Sequence, residues 1–255
     1  MDNRPIGVMD SGAGGLTAAR VLKARYPKET MVYFGDSARN PYGERPREEI
    51  VRFAEEGKAF LLSQNVKAVV IACNTITFNV PPAFYEETVP VVGMSLDFSA
   101  LPNVSRVAVF ATPASIATHR HKEGVLQALP KAEVVEVPCE GLAGAVERVA
   151  PKEEIRALVQ NLTDKYQANG AEAIIFGCTH YPLIRDVFED IFPGAFLLDP
   201  AEKTVEEAMR ILAEKDALSD AAGKDAYWFS GDTAAPQKLL TAVMGERAGK
   251  LAVSS

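Results

Sequence analysis

Two short stretches carry the residues on which chemistry can be built. Val69-Val70-Ile71-Ala72 runs into Cys73-Asn74-Thr75, and Ile174-Ile175-Phe176-Gly177 runs into Cys178-Thr179-His180. In each, a β-branched and apolar run reads as a buried strand, and the polarity changes abruptly at its carboxyl end. The chain holds only three cysteines, so two of them in matching contexts form a pattern. A thiol on each wall of one cleft suits a two-base proton transfer. One thiolate removes a proton from a small molecule, the second thiol delivers one from the opposite face, and the product is the mirror image. A free thiol ionises near pH ~8.5, so each needs a proton acceptor at hand, and Asp10 and His180 can serve. A carbanion beside a carboxylate also needs hydrogen-bond donors, which Asn74, Thr75 and Thr179 supply next to the thiols. Taken singly, each residue has an inert alternative: a buried cysteine as a small hydrophobe, Asp10 and Ser11 as helix caps. Cys139 lacks a polar sequel and reads as structural.

The elements that must position these residues follow an α/β pattern. Ile6–Met9 is a strand, Asp10-Ser11-Gly12-Ala13-Gly14-Gly15 a turn, and Leu16–Arg25 a helix. Met31–Phe34 is the next strand, residues 38–47 a loop with two prolines, and Glu48–Ser63 an amphipathic helix. A short helix around Phe78–Tyr85 and a strand over Val89–Met94 follow, then a turn-rich junction at Ser99–Ser105. The pattern restarts at Val107–Phe110, with Thr112 and Ser115 where Asp10 and Ser11 stood, and a helix expected to run on to Leu129. His119 and His121, two apart on that helix, do not share a face and read as surface or interface residues. The two first strands are offset by 101 residues and the two cysteines by 105, which indicates an internal repeat. Helices over Lys152–Gln167 and Ala201–Lys215, a last strand at Tyr227–Ser230 and a helix at Pro236–Met244 complete the series. Ligands of such sheets bind beyond the carboxyl ends of the strands, where all the residues named above stand.

Composition narrows the function classes. A net charge of -7, with both signs interspersed, argues against a nucleic-acid backbone as partner. No apolar run approaches the roughly 18 residues of a membrane span. Three cysteines far from C-x-x-C spacing, and no signal-like stretch after Met1, point to a reducing, cytoplasmic location. Gly12–Gly15 lacks the spacing of a phosphate loop. No further ligand pair accompanies Cys178 and His180 to hold zinc, and no lysine is placed for a Schiff base, so neither metal nor cofactor is expected.

Five blocks together resemble the signature of glutamate racemases in the aspartate/glutamate racemase superfamily. They are G-V-M-D-S-G-A-G-G-L-T from Gly7, Y-F-G-D-S-A-R-N-P-Y-G from Tyr33, A-C-N-T from Ala72, T-P-A-S from Thr112 and G-C-T-H-Y-P-L from Gly177. Ser230-Gly231-Asp232 fits the family's C-terminal segment. The resemblance implies two pseudo-symmetric, doubly wound α/β domains facing each other across a central cleft. The first would be discontinuous, residues 1–98 with 208–255, and the second would span residues 99–207. It implies a cofactor-free homodimer interconverting L- and D-glutamate for peptidoglycan synthesis. Cys73 would take the α-proton from D-glutamate with Asp10 assisting, and Cys178 from L-glutamate with His180 assisting. Ser11, Pro41, Tyr42, Gly43, Asn74, Thr75, Thr112, Ser115 and Thr179 would line the substrate site. Glu147, eight residues after Cys139, would sit near the substrate ammonium. The chain departs from the family's usual residues at Ile76–Phe78 and Met94–Phe98. A relative acting on aspartate or another α-acid is the alternative, followed by a non-catalytic amino-acid-binding protein.

Overall fold

In the computed structural model, which describes residues 1–245 and 251–254, two all-parallel sheets are built from one strand order. In the first, β1 (Ile6–Asp10) lies between β2 (Met31–Gly35) and β3 (Ala68–Ile71), and β4 (Val91–Val92) extends the β3 edge. In the second, β5 (Arg106–Ala111) lies between β6 (Glu133–Pro138) and β7 (Ala173–Gly177), and β8 (Phe196–Leu198) extends the β7 edge. The order 2-1-3-4 thus recurs, with β1 matched by β5 and β3 by β7. The first sheet gains two strands on its β2 edge, β9 (Ala226–Ser230) and β10 (Leu251–Ser254). The fourth strand is shorter than the expected Val89–Met94, and β10 was not anticipated.

Parallel strands need crossovers, and the helices supply them. The first lobe uses α1 (Leu16–Arg25), α2 (Arg47–Ser63) and the single turn and a half of α3 (Asn74–Asn79). The second uses α4 (Pro113–Ile116), α5 (Arg120–Ala128), α6 (Leu142–Glu147), α7 (Lys152–Lys165) and α8 (Arg185–Ile191). α9 (Ala201–Glu214) and α10 (Ala234–Met244) follow β8 and β9. The central strands β1, β3 and β7 are buried on both faces, which is why they read as continuous apolar runs rather than alternating ones. The helix expected from Ser115 to Leu129 is broken: His119 adopts a left-handed backbone, φ 54°, and separates α4 from α5.

The chain crosses between the lobes twice. Phe98 and Leu101 already pack with Val107, Val109 and Ile175 on the second sheet, so the first crossing precedes the junction read at Ser99–Ser105. On the return, Ala201, Val205, Ala208, Met209 and Leu212 of α9 all join the core of the first sheet. A boundary at residue 208 would cut that helix in half, and the chain has returned by Ala201. The two crossings touch, because the Ser95 amide donates to Thr204 Oγ1 at 2.9 Å.

Candidate active site

The carboxyl ends of β1, β3, β5 and β7 converge where the lobes meet, around one narrow cavity. Ser11, Asn40, Pro41, Tyr42, Gly43, Cys73, Asn74 and Thr75 form one wall, and Thr112, Ala143, Cys178, Thr179 and His180 the other. Both thiols therefore border one space. Cys139 does not: its thiol is buried and donates to the Val137 carbonyl at 3.1 Å.

Cys73 caps α3 in an extended conformation, directly after β3. Its Sγ lies 3.6 Å from Ser11 Oγ. Burial pushes this thiol well above its ordinary range and the nearby Asp10 charge pushes it further, against its hydrogen bonding with the Ile76 backbone and with Ser11. Asp10 itself makes no hydrogen bond to Cys73 among the described residues. Its two oxygens accept from the Gly12 amide at 2.8 Å and, across the cleft, from Thr179 Oγ1 at 3.0 Å. Burial raises its pKa, while the positive His180 opposes this.

Cys178 is differently equipped. His180 Nδ1 lies 3.6 Å from its Sγ, and His180 Nε2 lies 2.6 Å from Glu147 Oε2. Because a carboxylate only accepts, Nε2 carries a proton and Nδ1 is the nitrogen that exchanges with the thiol. Burial lowers the His180 pKa, but the hydrogen bonds and charges of Cys178 and Glu147 outweigh it and hold the pKa well above 6.5. Glu147 is held below its ordinary value: burial works against this, and His180, the Ala13 amide and Ser37 together overcome it.

Glu147, expected near a substrate ammonium, bonds His180 on the side away from Cys178. It lies behind His180, outside the cavity lining, and ties the second lobe to the turn after β1. That turn explains its own glycines. A Cβ at Gly14 would meet His180 Nδ1 at 2.5 Å and Thr179 Oγ1 at 2.7 Å, so the second lobe can approach only a bare backbone here. Across the opposite end of the cleft, Thr75 Oγ1 and Thr112 Oγ1 are 2.8 Å apart. Ser115 sits behind that pair, fully buried and 3.0 Å from Thr112 Oγ1, as a support rather than a lining residue. Tyr42 lines the cavity, and its hydroxyl donates to buried Asp36. Asn40, Ala143 and Ser37 were not anticipated. Only Asn40 had a local signal, its place in the proline-flanked loop.

Residues 6–208 match the profile of the Asp/Glu/Hydantoin racemase family. The chain belongs to that family. It is 32% identical over 240 residues to a protein named glutamate racemase from Lactobacillus helveticus, covering 91% of this chain and 90% of the relative. A second relative of that name, from Lactococcus lactis subsp. cremoris, is 39% identical over 195 residues, 74% of this chain and 72% of its own. The crystal structure of glutamate racemase from Francisella tularensis in complex with D-glutamate superimposes with a TM-score of 0.89 at 30% identity, covering 100% of this chain and 98% of that one. The two-lobe α/β architecture is therefore that of the racemase family. Its two departures from the family's usual residues converge in space, since Phe78 and Phe98 both face His121. That histidine, read from sequence as a surface or interface residue, is 1% exposed.

Proposed function

We propose that this chain racemises glutamate, and that Cys73 and Cys178 exchange the α-proton on opposite faces of the substrate. The observation that carries this reading is one cavity bordered by both thiols, one of them backed by an imidazole and a carboxylate. From L-glutamate, Cys178 would take the α-proton after passing its own to His180, which Glu147 holds in the correct tautomer. Cys73 would then deliver a proton to the other face. In the reverse direction Cys73 acts as the base, with Ser11 at its thiol and Asp10 as the nearby acid. The Thr75–Thr112 hydroxyl pair, the amide of Asn74 and the backbone N–H groups beside them are the donors that would hold the substrate carboxylates as charge spreads from the α-carbon. No step calls on a cofactor.

The finer claims belong to the same proposal. D-glutamate would feed peptidoglycan synthesis, the chain would act in the cytoplasm as a homodimer, and the lobes would be two folding units, residues 98–200 inserted into the other. No helix among the described residues is long and apolar enough to cross a membrane.

Proton NMR with L-glutamate in heavy water tests the reaction. The α-proton signal should disappear as D-glutamate forms. Cys73→Ala and Cys178→Ala should each lower turnover by about three orders of magnitude or more. A folded, unmutated protein that exchanges aspartate or another α-acid but not glutamate would move the assignment to that substrate.

A further inference from the structure

His121 lies on α5, outside the cavity lining, yet it touches both catalytic strand ends. Its Nε2 is 3.1 Å from Oδ1 of Asn74, the residue after Cys73. On its other side the ring fills the space above Gly177, the residue before Cys178. A Cβ there would lie 3.0 Å from His121 Cε1 and 3.0 Å from Nε2. Phe78 meets the ring edge-on with centroids 4.7 Å apart, and Phe98 stacks at 6.5 Å, so the imidazole is clamped between aromatic walls.

The hydrogen-bond inventory fixes the roles. Asn74 is 2% exposed and lines the cavity, but its Nδ2 has no partner, and neither has His121 Nδ1. If Asn74 Nδ2 donated to the ring, an N–H would be orphaned at His121 Nδ1 and a bare carbonyl oxygen would face an anionic substrate. With Nε2–H donating to Oδ1, the ring keeps only an empty acceptor and both amide hydrogens of Asn74 stay free for a ligand of the cavity. Burial keeps the ring neutral, with a pKa lowered to about 3, which fits the single proton this arrangement needs.

We propose that His121 is a positioning residue, which fixes the Asn74 amide so that its unpaired donor faces the substrate carboxylate. This rests on the glutamate reading above for the identity of the substrate, but not for the geometry. An unpositioned amide can rotate and offer its oxygen instead, losing the bond and adding repulsion.

The test compares His121→Phe, which fills the space without a donor, with His121→Gln, whose amide nitrogen can occupy the place of Nε2. His121→Phe should raise KM for both glutamate enantiomers about tenfold, with kcat changed less, and His121→Gln should recover most of it. Equal KM in all three proteins would overturn the proposal. So would equal losses in both variants accompanied by equal falls in melting temperature, since that is the signature of packing alone. A second readout does not depend on turnover. In ¹⁵N-labelled protein, the Asn74 side-chain amide resonances should shift on adding D-glutamate to the unmutated protein and to His121→Gln, and much less in His121→Phe. Shifts without turnover would sink the racemase reading and leave this one standing. Identical shifts in His121→Phe would sink this one.

Discussion

The two strand ends that carry the thiols share a topology but not a chemistry. Beyond β3, Cys73 meets a hydroxyl, and the acid nearest to it is committed to a backbone amide and to Thr179. Beyond β7, Cys178 meets an imidazole whose far nitrogen is held by a carboxylate. The same order of strands therefore delivers two like groups into unlike electrostatic settings, one beside an acid that does not bond the thiol and one in a charged relay. What the repeat supplies is position, and the proton acceptors are added separately to each half.

Removing the relay should have the larger effect. His180→Gln is expected to lower kcat by about 10²–10⁴-fold, the range of a lost general base. The equilibrium constant of a racemisation is one, so kcat/KM must fall equally in both directions. The asymmetry should instead show in the substrate deuterium isotope effect, which should rise more for L-glutamate, whose proton Cys178 is assigned, than for D-glutamate. An equal rise for both enantiomers would erase the distinction between the two walls.

A smaller effect sharpens the same comparison through stability. The raised pKa of His180 stabilises the fold fully below its ordinary value of 6.5, and this is lost as pH climbs through the raised value. The depressed pKa of Glu147 stabilises it above 4.5, and this is lost as pH falls through the depressed value. Both contributions are complete between pH 4.5 and 6.5. Glu147→Gln should therefore cost about 2 kcal/mol in that window, with the melting-temperature gap to the unmutated protein narrowing at more acid and more alkaline pH. A gap that stays constant with pH would mean that the pair is not ionic. The smallest effect belongs to the thiol that no wall uses. Cys139→Ala should leave turnover within about twofold and cost about 1 kcal/mol, read from a melting curve, as a buried sulfur is lost.

Much of this arrangement was legible in the sequence because it is local. A buried parallel strand writes itself as an apolar run, and the polar residue after it marks the end at which ligands sit. Cys73, Cys178, Asp10 and the hydroxyls at Thr75, Thr112 and Thr179 all follow from that rule. What the sequence hid depends on residues far apart in the chain. Glu147 meets His180 across 33 positions, and Asn74 meets His121 across 47. His121 reads as a surface or interface residue only on a helix continuous with His119. The left-handed residue at His119 starts α5 afresh and turns the ring inward, while His119 stays outside beside Glu136. β10 escaped because four residues, Leu251–Ser254, are too few for a period to show.

The contact between Ser95 and Thr204 has a mechanical consequence. Two connections joined side by side act as one hinge pin: bending about the line through them is soft, whereas twisting one lobe against the other strains both connections at once. An opening of the cleft would therefore follow the bend about that line more readily than a twist. Each closure returns Glu147 to the turn after β1, and Thr179 to Asp10, in the same register.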